Sequence, residues 1–273
     1  YKRLMLIPIA VVLLSGIIVA TVGVNLGVDL RGGNLATIQD IRYSPEIQND
    51  LVEALGDPNI TVRSIFSPIT EGFTVETSPD ISSSELLRVL NNMYPDAPVS
   101  VQSIGPTLGA AFLRQGIQAV LFAFVLMSII VFIAFRMPVP SGAVVFAAFS
   151  DMLIAIALMS VTGIEVSRYT IAAILMIIGY SVDTNILVSA RVLKEKGEDV
   201  DDRVRKAMKT GITMSITTIA ALSALYIFST SEIIDDIAIV LIFGLLADAV
   251  MTWLFNVGVL KWYVVRKKIG VVR

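Results

Sequence analysis

Six apolar segments, each about as long as a bilayer is thick, constrain this chain more than any other feature of its sequence. An α-helix needs about 20 apolar residues to cross the hydrocarbon core of a membrane. Three of the segments carry no charged residue, and the other three carry one aspartate each. The pattern predicts an α-helical polytopic membrane protein with six transmembrane helices. The segments are Leu4–Val24, Ile117–Phe135, Val139–Thr162, Tyr169–Ala190, Thr210–Ser231 and Ile237–Leu260.

The composition agrees with a membrane protein and excludes several kinds of chemistry. Hydrophobic residues make up 55% of the chain and charged residues 16%, against about 45–50% and 25% in soluble domains. The absence of histidine and cysteine excludes His/Cys zinc sites, haem ligation, disulfides and thiol nucleophiles. The formal net charge of -2 argues against a nucleic-acid binder. We therefore expect no catalytic residues, no metal and no cofactor.

Lysine and arginine are distributed unevenly over the predicted loops, which indicates an orientation. If the six helices alternate in direction, 15 of the 21 basic residues fall on one side and the short loops of the other side hold only Arg168, so the first side should be cytoplasmic. Both termini and the loop 191–209 are then cytoplasmic, and the segment 26–106 is external. The predicted divisions are a first helix in 1–25, an external domain in 26–106, and a five-helix bundle in 107–273. The basic residues on the predicted cytoplasmic side are Lys2, Arg3, Arg136, Arg191, Lys194, Lys196, Arg203, Arg205, Lys206, Lys209, Lys261, Arg266, Lys267, Lys268 and Arg273.

The predicted external domain has the pattern of a small α+β fold. Alternating apolar residues indicate strands, and apolar residues at helical spacing indicate two helices. The order βαββαβ is that of a ferredoxin-like domain. Ser82 and Glu85 are placed to cap the second helix. The predicted elements are the strands Asn34–Arg42, Asn59–Phe66, Gly72–Thr77 and Val99–Ile104 and the helices Pro45–Leu55 and Ser82–Met93; Thr107–Gln115 is predicted to extend the second transmembrane helix outward.

Part of the cytoplasmic loop also has a helical pattern. Val200, Val204, Ala207 and Met208 form an apolar stripe, and acidic residues at the start with basic residues at the end suit a helix dipole. A short helix lying on the inner membrane surface and a solvated connecting helix fit this pattern equally well.

Three aspartates lie within the predicted transmembrane helices: Asp151, Asp183 and Asp248. An ionised carboxylate at the centre of a bilayer costs about 2.5–3.5 kcal/mol even on the lenient insertion scale. No lysine or arginine is predicted at the same depth. Each aspartate is therefore either a protonated residue that holds helices together through hydrogen bonds or part of a proton or ion path.

Asp183 is the strongest functional candidate because polar residues surround it. Tyr180, Thr184 and Asn185 lie close to it in the fourth helix, and together these side chains spread over roughly 200° of a helical wheel. We expect Asp183 to carry protons, with Tyr180, Thr184 and Asn185 as its hydrogen-bond partners. Hydroxyl groups of the fifth helix would reach it if that helix packs alongside; they belong to Thr213 and Thr217.

A second motif follows the first predicted helix and reads Asp29-Leu30-Arg31-Gly32-Gly33. A glycine pair permits positive φ angles and close backbone approach. Here it would turn the chain from the membrane into the first strand. The motif is too short for a phosphate-binding loop and does not follow a strand.

These features together resemble the SecD/SecF family of protein-export membrane proteins. The most specific parts are the Asp29–Gly33 motif and the run from Gly179 to Arg191, and the resemblance covers essentially the whole chain. It implies a half-transporter related to the RND superfamily, located in the cytoplasmic membrane. The family implies pairing with SecD, assistance to a SecYEG-type translocon by means of the proton-motive force, and contact with translocating preprotein and membrane lipid.

Within the family, the chain resembles the SecF branch, of archaeal type, with SecD as the second choice. The external domain has the size found in SecF. The Asp29–Gly33 motif and the position of Asp183 are more like SecD, since bacterial SecF has its aspartate one place later, where this chain has Thr184. Thr210, with Lys209 adjacent, stands near the position of a membrane-proximal arginine of bacterial SecF.

Three other functions remain open on the sequence alone. A different RND-type half-transporter, for a lipid or a small molecule, would share the fold and the buried aspartates. An intramembrane aspartyl protease needs two facing aspartates, usually in Tyr-Asp and Gly-x-Gly-Asp contexts, and neither pattern occurs here. A passive assembly factor, in which the aspartates only hold helices together, predicts that Asp183→Asn is tolerated.

Overall fold

A computed structural model describes residues 5–58, 60–66, 71–194, 199–229 and 231–267 of the 273-residue chain. It contains a bundle of long helices and a small antiparallel sheet, the sheet domain (residues 33–104). The predictions for residues 1–4, 195–198 and 268–273 lie outside the described residues.

The helices of the bundle follow the predicted apolar segments. Within the described residues, five helical stretches are long and apolar enough to cross a membrane. The first predicted span is a shorter apolar helix of 17 residues, which covers about 25 Å at 1.5 Å per residue. The second span extends back to Pro106, as predicted. The bundle consists of α1 (Leu6–Val22), α5 (Pro106–Phe135), α6 (Pro138–Thr162), α7 (Arg168–Lys194), α8 (Val200–Phe228), α9 (Glu232–Val250) and α10 (Val257–Lys267).

The structure corrects the prediction for the apolar stripe in the cytoplasmic loop. The stripe is neither a separate surface helix nor a separate connector, because it forms the first turns of α8, which runs unbroken from Val200 to Phe228. Val204 and Ala207 are buried in the core of the bundle. Arg203 is fully buried and donates a hydrogen bond to the Val192 carbonyl at the end of α7, at 2.8 Å. This packing draws the stripe into the bundle.

The last apolar segment contains an irregularity that its composition does not reveal. A π-helical stretch, Met251–Asn256, separates α9 from α10 without interrupting the helical path. Short π-helical stretches are rare and are frequently found at functional sites.

The sheet domain confirms the predicted order of elements. Its strands lie in the order β2-β3-β1-β4, and every neighbouring pair is antiparallel. The Ser82 hydroxyl caps the second helix by accepting a hydrogen bond from the Glu85 amide at 3.2 Å. The elements are β1 (Gly33–Gln39), α3 (Glu46–Leu55), β2 (Thr61–Phe66), β3 (Glu71–Thr77), α4 (Ser83–Met93) and β4 (Val99–Ile104); a one-turn helix, α2 (Val28–Arg31), precedes them and was not predicted.

The two faces of the sheet have different surroundings. One face packs against α3 and α4 and holds the apolar core, with Ile38, Phe73 and Leu86 fully buried. The opposite face carries Thr37, Glu76 and other polar residues, and it lines a cavity shared with the loops at one end of the bundle. The sheet domain therefore meets the bundle through a polar face.

Within the bundle, α7 is central, whereas α5 and α8 are mostly uncovered. α7 contacts α5, α6, α8 and α9. In contrast, only 11% of the residues in an 18-residue apolar stretch of α5, and the same share in α8, are buried, against 56% in α6. These uncovered apolar surfaces must face lipid or another membrane protein, because water would not solvate them favourably.

Candidate functional site

Asp151 and Asp248 meet in the interior of the bundle. Asp151 lies near the middle of α6, and Asp248 lies near the middle of the span formed by α9 and α10. They are 0% and 1% exposed. The two carboxyl groups are close enough to interact directly. The sequence predicted both as intramembrane acids but did not indicate that they form a pair.

The polar residues of α7 connect the two carboxyl groups. The Ser181 hydroxyl donates to Asp151 Oδ2 at 2.6 Å. The Asn185 amide donates to the Ser181 carbonyl at 2.8 Å and lies 3.4 Å from Asp248 Oδ1. Thr184 is also buried beside this network, and its hydroxyl donates a hydrogen bond to the Tyr180 carbonyl of its own helix at 3.1 Å. This network therefore joins α6, α7 and α9 at the depth where water is scarce.

Two further members of the network, Thr252 and Asn256, were missed from the sequence. The Thr252 hydroxyl donates to Asp248 Oδ1 at 2.7 Å, and the Asn256 amide donates to Asn185 Oδ1. Both residues belong to the π-helical stretch and are fully buried. Thr252 and Asn256 lie four and eight residues after Asp248, which puts all three on one helix face, and this signal was available in the sequence.

Among the described residues, no cation forms a hydrogen bond or ion pair with Asp151 or Asp248. The described hydrogen-bond partners of Asp151 and Asp248 are neutral hydroxyl and amide groups. One oxygen of each carboxyl is buried without a partner among the described residues. Two carboxylates in contact, away from water, cannot both stay ionised, and one proton between them removes the repulsion. We therefore interpret the pair as sharing a proton.

Two facing aspartates are also what a protease would require. Both residues are buried, so neither presents a surface that a substrate peptide could reach. The arrangement instead matches hydrogen bonding between helices, with a hydroxyl bound to each carboxyl.

A shared proton predicts an asymmetric response to substitution. Asp151→Asn keeps a donor towards Asp248 and should change the free energy of unfolding by less than about 1 kcal/mol. Asp151→Ala leaves the Ser181 hydroxyl without its acceptor and creates a cavity, so it should lower the free energy of unfolding by about 2–4 kcal/mol. Thermal unfolding of the purified chain in detergent measures both effects.

The neighbouring residue Ser150 supplies the control for this experiment. It is fully buried, but its hydroxyl bonds only to the Phe146 carbonyl of its own helix at 2.8 Å. Ser150→Ala should therefore change the stability little. Equal losses in Asp151→Asn and Asp151→Ala would show that the carboxylate charge itself is needed and would contradict a shared proton.

Asp183 lies apart from this network. It is exposed on the outer surface of α7, about 12 Å along the helix from Arg191 at 1.5 Å per residue. Tyr180 is 37% exposed on the same helix. Of the predicted hydrogen-bond partners, Thr184 and Asn185 are buried and belong to the internal network. α7 therefore has two polar sides, one turned inward and one left open.

The predicted hydroxyls of α8 do not supply partners for Asp183 in this chain. Thr213 and Thr217 are exposed, and their hydroxyls donate to carbonyl groups of their own helix at 2.8 and 3.0 Å. The hydroxyl of Thr210 accepts a hydrogen bond from the side chain of Arg191 of α7 at 3.1 Å. An arginine thus reaches this position from the neighbouring helix.

The Asp29–Gly33 motif forms the joint between the sheet domain and the bundle. Asp29 accepts hydrogen bonds from the backbone amide of Arg168, at 2.7 Å, and from its side chain, at 3.1 Å. Leu30 is buried in the bundle core, and Arg31 forms an ion pair with Glu76 at 3.3 Å. The motif therefore binds the first turn of α7 on one side and strand β3 on the other.

The two glycines of the motif are required by geometry. Gly32 has a φ of 85°, and a β-carbon there would lie 2.8 Å from the Cα atom of Pro106. Gly33 has a φ of 139°, and a β-carbon there would lie 2.2 Å from the Thr77 carbonyl oxygen. The predicted role of the pair in turning the chain at positive φ is confirmed.

Comparisons with known proteins identify the family. Residues 86–266 match the family model "Protein export membrane protein SecD/SecF, C-terminal". The chain belongs to the SecD/SecF family. Two archaeal proteins named protein-export membrane protein SecF are similar over nearly the full length. The one from Thermococcus gammatolerans is 43% identical, covering 96% of this chain and 85% of the relative; the one from Pyrococcus furiosus is 44% identical, covering 98% and 92%.

The assignment to the archaeal SecF branch of the SecD/SecF family, rather than to SecD, is confirmed by these relatives. Two solved structures share the fold. The structure of SecDF, a translocon-associated membrane protein from Thermus thermophilus, has a TM-score of 0.81 at 22% identity, over 98% of this chain. SecDF in the super-membrane-facing form has a TM-score of 0.61 at 24% identity, over 96%. This chain spans 38% of each SecDF chain.

Proposed function

We propose that this chain is an auxiliary subunit of the Sec protein translocase that promotes protein export across the cytoplasmic membrane. The observation that carries the proposal is full-length similarity to proteins named protein-export membrane protein SecF, at 43–44% identity. The chain acts together with SecD and a SecYEG-type translocon on a translocating preprotein. Its energy source is the proton-motive force.

The proposed topology has six membrane spans. It places both termini and the loop 191–209 in the cytoplasm and the region 26–106 outside. The unequal distribution of lysine and arginine supports this orientation. The strand order β2-β3-β1-β4 with α3 and α4 on one face supports a ferredoxin-like fold for the external region. The three proposed divisions of the chain remain 1–25, 26–106 and 107–273.

The exposed side of α7 supports pairing with a second membrane protein. Asp183 and Tyr180 form a polar surface at membrane depth that this chain leaves open. A carboxyl group facing lipid is costly, so a protein surface that covers it is favoured. SecD is the proposed partner, and its spans complete the wall around Asp183.

A photo-crosslinking amino acid in place of Tyr180 should therefore capture SecD in native membranes. The side chain projects from the open face of α7 and lies next to the proposed partner. The product is measured as a band of increased mass on an immunoblot and identified by mass spectrometry. We expect a single protein adduct that contains SecD.

Phe122 provides the matched control. It is an aromatic residue, 68% exposed on α5, and it lies in a uniformly apolar stretch. The same crosslinker at Phe122 should give lipid adducts and no SecD adduct. SecD capture from Phe122 together with none from Tyr180 would show that the interface lies elsewhere.

In this proposal, Asp183 carries the protons that drive export, and the Asp151–Asp248 pair stabilises the bundle beside it. Protonation changes Asp183 from an acceptor into a donor, which can repack α7 against its partner. Tyr180 is its hydrogen-bond partner within this chain. Asn185 connects the same helix to the internal network, and Thr184 is buried beside it, so a movement of α7 affects both sides.

A further inference from the structure

The contact between the sheet domain and the bundle contains a second pair of carboxyl groups. Glu76 lies on β3, on the sheet face opposite the core. Glu165 lies in the connection between α6 and α7. Each residue is 9% exposed, and the two carboxyl groups are close enough to interact directly. Because one residue belongs to each part of the protein, their protonation bears directly on how the parts are held together.

Arginines flank the pair but do not separate its members. Arg63 of β2 forms an ion pair with Glu165 at 3.1 Å, so it crosses between the sheet domain and the bundle. Arg31 forms an ion pair with Glu76 at 3.3 Å. Among the described residues, the other titratable or charged groups that face this space are Asp29, Glu71, Arg168, Tyr169 and Asp236.

Solvent protons have a route to the pair. Glu76 and Glu165 both line a cavity of about 570 Å³ between the polar sheet face and the loops of the bundle. Beside the cavity, the Gly27 amide donates a hydrogen bond to the Val166 carbonyl at 2.9 Å and so joins the segment before α2 to the connection between α6 and α7. The pair is thus buried within a contact that has an adjoining space large enough for water.

We propose that Glu76 and Glu165 form a proton-binding site that fastens the sheet domain to the helix bundle. With one proton, Glu76 donates a hydrogen bond to the Glu165 carboxylate, which Arg63 neutralises. Without that proton, two buried carboxylates face each other across the contact, and their repulsion weakens it. The pH of the solution on this face then sets how firmly the domain is held.

The titration of Glu76 has the direction that this site requires. Burial, the largest cause, and the charge of the neighbouring Glu165 raise the pKa of Glu76 from 4.5 to about 8. Arg63 and Arg31 oppose this shift but do not cancel it. When the domain separates from the bundle, burial and the Glu165 charge are lost and the pKa returns towards 4.5. The docked form therefore binds the proton more tightly, and docking is favoured fully below pH 4.5 and lost as the pH rises through about 8.

This linkage has a quantitative consequence. Each opening releases one proton between the two pKa values, so the ratio of separated to docked molecules should rise about tenfold per pH unit. The rise should level off above about pH 8, where Glu76 is ionised in both forms.

Pulsed electron paramagnetic resonance on the purified full chain tests the proposal. The chain contains no cysteine, so two introduced cysteines label it uniquely. Asn92→Cys places a label on α4 and Thr162→Cys places one at the end of α6; both native residues are exposed. Distances are recorded between about pH 6 and about pH 9. We expect one short distance at the acidic end and a growing longer population towards the basic end.

Three further variants decide the cause of any change. Glu76→Gln keeps a neutral donor and should hold the short distance throughout. Glu71→Gln, on the same strand but exposed, should behave as the wild type does. If Glu76→Gln fails to fold, Glu165→Gln replaces it and should move the transition to lower pH, because loss of the Glu165 charge lowers the pKa of Glu76 in the docked form. A transition unchanged from wild type in the glutamine variants that fold overturns the proposal. So does a wild-type distance that does not respond to pH. Neither result affects the proposed export function, which the crosslinking experiment tests separately.

Discussion

Asp183→Asn is expected to abolish the stimulation of protein export while leaving the protein folded and assembled. The substitution keeps the size of the side chain and its ability to hydrogen-bond, but asparagine cannot gain or lose a proton. If Asp183 carries the protons, the chain is held in one state, and the entire stimulated part of the export rate is lost. Export should fall to the rate seen without this subunit.

The position of Asp183 makes this expectation specific. The residue is exposed on α7 and lies outside the internal network of Asp151 and Asp248. Its replacement should therefore not disturb the packing of α6, α7 and α9. A loss of export with an unchanged melting temperature points to proton transfer rather than to misfolding.

The measurement is the rate of preprotein uptake into membrane vesicles that contain the translocon and SecD, under an imposed proton gradient. The yield of the Tyr180 crosslink reports assembly in the same vesicles. Asp202→Asn is the matched control, because Asp202 is an exposed aspartate in the first turn of α8. Export at the wild-type rate in Asp183→Asn would exclude proton transfer through this residue and would favour a passive role.

Gly33→Ala is expected to unfold the sheet domain. The added β-carbon would lie 2.2 Å from the Thr77 carbonyl oxygen, in the backbone ladder between β1 and β3, where Asn34 pairs with Thr77. The φ of 139° is also unfavourable for any residue with a side chain. Strain and overpacking together should cost about 3 kcal/mol or more.

Limited proteolysis of the purified full chain measures this effect. The sheet domain of Gly33→Ala should be cut rapidly, while the helices remain protected by detergent. Gly105→Ala is the control at the other end of the domain, because its φ of -67° suits alanine and no atom lies within 4 Å of the added carbon. A Gly33→Ala chain as resistant as Gly105→Ala would show that the joint can rearrange.

Local patterns in the sequence predicted most of the architecture. The apolar segments and the alternating strands gave element types and an order that the structure confirms, because both signals depend only on neighbouring residues. The cap at Ser82 and the glycine turn at Gly32 and Gly33 were predicted for the same reason. The run from Gly179 to Arg191 and the Asp29–Gly33 motif also indicated the family, which the relatives confirm.

The pairing of side chains from distant helices was decided only by the tertiary structure. Sequence patterns predict that a helix has a polar side but not which neighbour receives it. They placed Asp183 among Thr184 and Asn185, whereas the fold turns those two inward to Asp248 and leaves Asp183 outside. Likewise, the apolar stripe before Thr210 belongs to the bundle because α8 packs there.

The contact between Glu76 and Glu165 shows the same limit most clearly. Residues 89 positions apart in the chain meet only because the sheet domain docks its polar face on the bundle. Hydrophobic periodicity determines which face of each helix or strand must be buried, because side chains recur on one face at a fixed spacing along the chain. Which carboxyl group meets which partner depends on the docking of complete elements, and that geometry also determines where this protein can bind a proton.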